Sequence, residues 1–158
     1  MRYLIEEEKK EALYYINKAK NIAKKSNCLK SKSSAVIVRN KNIIGIGYNS
    51  PPNDKALLEC IKDKLPTNFK SDKTCCVHAE QRAILDALRG EKDLKNSRLY
   101  YIRLDLNNNI IKSGNPYCTI CSKLSLDSGI SEFVLYKKEG IALYDTYEYN
   151  DLSFKYIP

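Results

Sequence analysis

One histidine, one carboxylate two residues beyond it, and two cysteines three residues apart make a chemically suggestive set in this 158-residue chain. His78 is the only histidine and lies in Cys76-Val77-His78-Ala79-Glu80-Gln81; the thiols lie in Pro116-Tyr117-Cys118-Thr119-Ile120-Cys121-Ser122. A neutral imidazole and two thiolates balance the charge of Zn2+, and three protein ligands leave a fourth tetrahedral position open to water, the pattern of catalytic zinc. Water at such a position can have its pKa lowered to about 7. Glu80 then reads as a proton carrier and not a ligand. It takes a proton from that water, delivers it to a ring nitrogen and later protonates a departing amine, which requires a pKa raised by partial burial.

Elements of the right kind surround both groups. From Ala79 the apolar positions Ala83, Ile84, Ala87 and Leu88 trace one helix face, with Gly90 as a left-handed stop. On an ideal helix His78 and Glu80 point about 200° apart, so they share a site only if the chain enters the helix between them. Ile120, Cys121 and Leu124 predict a second helix from about Tyr117 to Gly129, which puts both thiols in a first turn where backbone N–H groups favour thiolate. Residues 6 to 26 read as an amphipathic helix. Ala35 to Val38 and Ile43 to Tyr48 read as a hairpin about Asn40-Lys41-Asn42, with Asn49-Ser50-Pro51-Pro52 ending its second strand. Arg98 to Arg103 and Glu132 to Tyr136 are strands. The helix between them predicts a parallel, right-handed crossover pair. Residues 53 to 75 read as a loop-rich insertion, and the tail from Ile141 as one further strand and a final helix. The order α-β-β-α-β-α-β predicts a three-layer α/β/α sandwich in a single domain, 1–158.

Composition narrows the class. With 43% hydrophobic and 29% charged residues the chain has an ordinary globular balance. Glu6, Glu7 and Glu8 leave no apolar signal core near Met1, and no run reaches membrane-spanning length, so a cytoplasmic protein with no membrane partner is expected. In a reducing compartment the six cysteines suit metal ligation or burial better than disulfides. The net charge of +8 owes much to Lys18, Lys20, Lys24, Lys25, Lys30 and Lys32, a stretch without acids. These lysines suit a solvated face, or else a phosphate-attracting patch with RNA as partner; no arginine-aromatic interleaving accompanies them.

His78-Ala79-Glu80 with Cys118-x-x-Cys121, preceded by Gly45-Ile46-Gly47-Tyr48-Asn49-Ser50-Pro51 and by Cys28-Leu29-Lys30, resembles the cytidine and deoxycytidylate deaminase superfamily, most of all its deoxycytidylate branch. The resemblance runs from about Cys28 to Tyr136. It implies a five-stranded mixed sheet of order 2-1-3-4-5 with helices on both faces, the fourth and fifth strands parallel, and a homo-oligomer. It implies a nucleotide or nucleoside substrate, with Asn49 holding its sugar or base and the Ala79 N–H and Tyr117 carbonyl touching the pyrimidine edge. It also implies an additional zinc site in the region of Cys28, Cys60, Cys75 and Cys76, four thiolates being an acceptable set; small buried thiols are the other reading. The chain departs from the family in placing Tyr117 between Pro116 and Cys118, where its ring either stacks on a flat base or fills the wall.

Three function classes follow. One is zinc-dependent hydrolytic deamination of cytosine in a nucleotide or nucleoside, deoxycytidylate to deoxyuridylate foremost. A second is deamination of a base within transfer RNA or other RNA, supported only by the lysines. The third is a non-enzymatic zinc-stabilised binding module, which would want a fourth protein ligand and have no use for Glu80. Arg82 suits a phosphate clamp or a salt bridge, and Asn49 a substrate contact or a turn.

Overall fold

The computed structural model describes residues 1–66, 75–105 and 107–156. In chain order the elements are β1 (Arg2–Tyr3), α1 (Glu6–Ala23), β2 (Lys32–Arg39), β3 (Asn42–Tyr48), α2 (Ala79–Arg89), β4 (Ser97–Leu104), β5 (Ile110–Ile111), α3 (Thr119–Asp127), β6 (Ile130–Tyr136), β7 (Ile141–Asp145) and α4 (Thr146–Lys155). Short 3-10 turns occupy Pro52–Asp54 and Ile61–Lys64 of the insertion. The rest of the expected insertion, residues 67–74, and the last two residues of the tail lie outside the described residues.

Among the described residues seven strands form one sheet, ordered β1-β7-β6-β4-β2-β3, with β5 on β4. The five strands legible in the sequence keep the order 2-1-3-4-5. The count of five is corrected by β1 and β5, two-residue strands too short to show any period. The expected parallel pairing of the fourth and fifth strands is also corrected: β6 and β7 are antiparallel. Only residues 137–140 join them, closed by the Lys137 N–H donating to the Gly140 carbonyl at 2.8 Å. A parallel return needs a crossover of a dozen or more residues. β4 and β6, joined through α3, are parallel as predicted.

Period-two alternation makes two cores. Val36, Val38, Tyr100, Ile102, Val134 and Leu143 face α1, whose Ala12, Ile16 and Ala19 are buried. Ala35, Ile37, Leu99, Phe133, Leu135 and Tyr144 face the other way, against Ala83 and Ile84 of α2 and Tyr149 of α4. Helices therefore cover both faces, giving the three-layer sandwich.

Two glycines bring α2 down onto the sheet. A Cβ at Gly47 would fall inside the Ala79 carbonyl oxygen and the Ala83 nitrogen, and 2.9 Å from the Arg82 carbonyl carbon; one at Gly45 would lie 2.9 Å from the Ala87 Cβ. Only hydrogen at these positions lets the first turn of α2 reach the end of β3. The far end of α2 differs from expectation. Gly90 stands at φ −83° because its N–H still bonds Asp86 in helical fashion, and the left-handed residue is Glu91 at φ 54°. Gly129, at φ 89°, does take the left-handed conformation after α3.

Candidate active site

His78 and Cys118 occupy equivalent places, each the last extended residue before a helix on the same face of the sheet. His78 has φ −72° and ψ 152° and is followed directly by α2. The chain thus turns into helix between His78 and Glu80, which meets the condition for both to share a site. A two-way backbone pair between Ser50 and Val77 ties this entry to the end of β3, with the Val77 N–H donating to the Ser50 carbonyl at 2.9 Å. Gln81 closes the first turn: its Oε1 accepts from the His78 N–H at 3.0 Å.

Cys118 precedes α3, which starts at Thr119, two residues after the predicted Tyr117. Its sulfur accepts from the Cys121 N–H at 3.4 Å, so the thiol pair is spaced by a helical turn that also supplies a donor. His78 Nδ1 lies 3.2 Å from Cys121 Sγ and 3.4 Å from Cys118 Sγ. Zinc–nitrogen and zinc–sulfur bonds of about 2.0 and 2.3 Å give a tetrahedral N···S edge of about 3.5 Å. All three ligand atoms fall within 4.8 Å of one another, the one such group among the described residues.

The electrostatics agree with the donor set. The Cys121 N–H and thiol, together with His78, pull the Cys118 thiol well below its ordinary pKa despite burial; the Cys118 thiolate and burial push Cys121 up, and the sulfur of Cys118 raises His78. Two adjacent thiolates in so enclosed a place are stable together only against a cation. Glu80 is 6% exposed. Burial first, and the Cys118 charge second, push its carboxyl up to about 7. Such a group can hold or release a proton near neutrality, as the sequence argument required.

Glu80 and Cys118 open onto a cavity of about 470 Å³ whose walls include Tyr101, Leu135, Tyr149, Tyr117 and Tyr156, with Arg103, Lys112, Ser113 and Asn115 toward its mouth. Tyr117 is 59% exposed and meets Tyr156 edge to face at 4.9 Å. Ala79, the first residue of α2, is fully buried. Asn49 is buried, and its carboxamide is largely occupied: Oδ1 accepts from the Ser33 N–H at 2.7 Å and from the Ser26 hydroxyl at 2.9 Å, while Nδ2 donates to the Ser31 carbonyl at 2.8 Å. Arg82 is held in a salt bridge, 2.9 Å from Asp54 Oδ1 and 2.8 Å from the Pro51 carbonyl, beneath the Tyr48 ring.

Among the described residues the remaining cysteines, Cys28, Cys60, Cys75 and Cys76, form no group of three ligand atoms comparable with that of His78, Cys118 and Cys121. Cys60 Sγ and Cys75 Sγ are 3.7 Å apart, and burial raises the pKa of the Cys76 thiol. Sequence reasoning missed Tyr101, Arg103, Lys112 and Tyr149. Alternation along β4 marks Tyr101 as sharing a face with Leu99; nothing local marks Tyr149, which approaches only through α4.

The family described as the cytidine and deoxycytidylate deaminase zinc-binding region matches residues 9–137. A deoxycytidylate deaminase of Mycobacterium phage D29 is 34% identical over 135 residues, covering 80% of this chain and 94% of the phage protein. That of Saccharomyces cerevisiae is 32% identical over 126 residues, covering 77% of this chain but 36% of the yeast protein, so the chain spans about a third of that relative. Among solved structures, a cytidine deaminase from Burkholderia pseudomallei superposes with a TM-score of 0.61 at 15% identity, covering 87% of this chain and 94% of its own. A dCMP deaminase from the cyanophage S-TIM5, in complex with dCMP and dUMP, gives 0.53 at 22% identity and 82% coverage of both chains. The match over most of the length, with His78, Glu80, Cys118 and Cys121 converging, places this chain in the cytidine and deoxycytidylate deaminase family.

Proposed function

We propose that this chain hydrolyses the exocyclic amine of cytosine in a nucleotide, converting deoxycytidylate to deoxyuridylate and ammonia. The reading rests on one observation above all: a buried carboxyl poised near neutral pH stands beside a three-ligand set, and it and Cys118 line a cavity sized for a nucleotide. Zinc held by His78, Cys118 and Cys121 supplies Lewis acidity that activates water. Glu80 carries the protons. Its carboxylate accepts one from the attacking water and gives it to the ring nitrogen beside the amine-bearing carbon. As the new carbon–oxygen bond becomes a carbonyl, Glu80 takes the proton released by that hydroxyl and passes it to the leaving nitrogen, and the carbon–nitrogen bond breaks. The enclosing walls keep bulk water from competing for that proton.

Substrate contacts follow from which polar groups remain. The Ala79 N–H, in the first turn of α2, has no helical acceptor and suits a pyrimidine carbonyl. The Tyr117 carbonyl suits the same base edge. Asn49 has one Nδ2 hydrogen left for the sugar. A nucleotide phosphate suits the mouth, near Arg103 and Lys112. Nothing favours RNA as substrate. Of the six lysines behind that expectation, Lys30 pairs with Asp63, and Lys32 donates to the Lys24 carbonyl at 3.4 Å. A zinc-stabilised binding module is disfavoured because a buried Glu80 would cost stability and serve nothing.

We extend the proposal to a second, structural zinc held by Cys28, Cys60, Cys75 and Cys76: Cys60 and Cys75 stand 3.7 Å apart, close to the edge of about 3.8 Å of a zinc–thiolate tetrahedron, and Cys28 and Cys76 would have to close on that pair as the metal binds. Homo-oligomeric assembly and a cytoplasmic location belong to the same reading; no helix among the described residues is long and apolar enough to cross a membrane.

Ammonia release over a panel of free nucleosides, nucleotides and transfer RNA tests the main proposal. Deoxycytidylate should be turned over, and Glu80→Gln should reduce turnover by at least roughly 10²–10⁴-fold, the usual worth of a general acid–base group, while keeping its zinc. Intact activity in the zinc-loaded variant rules out the proton-carrier role.

A further inference from the structure

Tyr149 lies in the last helix, beyond the stretch that matches the family, yet it lines the same cavity as Glu80 and Cys118. It is 5% exposed, with one ring face stacked on Phe133 at 3.9 Å and 16° and its edge against Tyr144 at 5.7 Å. A buried phenol normally finds a hydrogen-bond partner. Two other buried tyrosines show such a bond. Tyr15 donates to the Lys41 carbonyl at 2.8 Å, and Tyr144 accepts from Lys137 Nζ at 3.4 Å. Tyr149 has no such partner among the described residues. Its hydroxyl is a donor kept at the cavity wall beside the reacting groups.

The position of that hydroxyl is built to be constant. Ser122, next to the ligand Cys121, donates to Asn150 Oδ1 at 3.0 Å, and Asn150 is next to Tyr149. Ser122 also meets the Ser153 hydroxyl at 2.9 Å. At the start of α4, Asp145 accepts from the Tyr147 N–H at 2.8 Å. The two Ser122 bonds fasten the helix that carries Tyr149 to the helix that carries Cys121, immediately beside each of these residues.

Resting on the deaminase reading above, we propose that the Tyr149 hydroxyl donates a hydrogen bond to an acceptor atom on the base or sugar of the bound nucleotide. The phosphate is not its target, because Arg103 and Lys112 stand exposed toward the mouth while Tyr149 is buried with Glu80 and Cys118. The last helix is then part of substrate recognition as well as cover for the sheet.

Tyr149→Phe removes the hydroxyl and keeps the stack on Phe133. With deoxycytidylate as substrate, kcat/KM should fall about ten-fold, the usual effect of leaving one substrate acceptor unpaired. Affinity for deoxyuridylate should fall in parallel, and zinc content and melting temperature should match those of the parent chain. Kinetics and deoxyuridylate affinity within two-fold of the parent overturn the inference. A parent chain that does not turn over deoxycytidylate at all sinks the deaminase reading and this contact with it, so the two failures are distinguishable.

Discussion

Glu80 is held where a carboxylate is costly, and the cost has a measurable signature. Its pKa in the folded chain is about 7 against an ordinary 4.5, mainly through burial. Between those values the folded chain keeps a proton that the unfolded chain has released. The zinc-free protein must therefore lose stability as pH rises from about 4.5 to about 7, by on the order of 3 kcal/mol at 1.36 kcal/mol per unit. Urea unfolding of the chelated protein at pH 5 and pH 8 measures this, with Glu80→Gln as the reference. The variant should show a smaller loss across the window and exceed the parent at pH 8. Parallel pH profiles for the two would mean that Glu80 is not neutral in the fold. Arg82 shows the opposite economy. An arginine one turn into α2 reads equally as an anion clamp, but Asp54 and two backbone carbonyls occupy it, so it braces the insertion against the site.

At the level of elements, two helix starts do the assembly. α2 and α3 each begin with a ligand in extended conformation, and each places its next functional group within the first turn, where free N–H groups stabilise negative charge. What sets α2 at the right depth is Gly47, since any side chain there collides with backbone atoms of Ala79 and Ala83. Gly47→Ala should destabilise the fold by about 1–3 kcal/mol or more. Because the displaced turn carries Ala79 and Glu80, it should also lower zinc content and activity together. Thermal melting with metal analysis checks this. A variant with parental stability and zinc would show that α2 does not depend on that contact. The β6–β7 hairpin, likewise, sends the chain straight into α4, which brings Tyr149 to the cavity.

For the whole molecule, the proposed metal count is two. Zinc analysis of the purified chain should give two ions per chain, one of them lost in Cys60→Ser while deoxycytidylate turnover falls less than it does in Cys118→Ser. One ion in the parent chain would leave Cys28, Cys60, Cys75 and Cys76 as buried thiols around the insertion. The sheet also joins distant parts of the chain. β1 adds to β7, so residues 2 and 3 pair with 143 and 142, and the Met1 amino group reaches Glu148.

Much of the proposed catalytic set was legible before any fold was known, because it depends on residue identity and short spacing. One histidine, a thiol pair three apart and a carboxylate two beyond the histidine specify donor chemistry, and a helix period starting at each group specifies how donors are presented. The order of the five longer strands follows from alternation and connection length in the same way. Other features depend on contacts between segments far apart in the chain. Two-residue strands carry no period, and the occupancy of the Asn49 carboxamide is set by Ser26, Ser31 and Ser33. The pKa of Glu80 is set by how completely sheet and helices exclude water from it, and the place of Tyr149 by the packing of α4 on Phe133. Local pattern names the reacting groups; desolvation and long-range packing, which arise only when the layers close, decide their protonation and what else can touch the substrate.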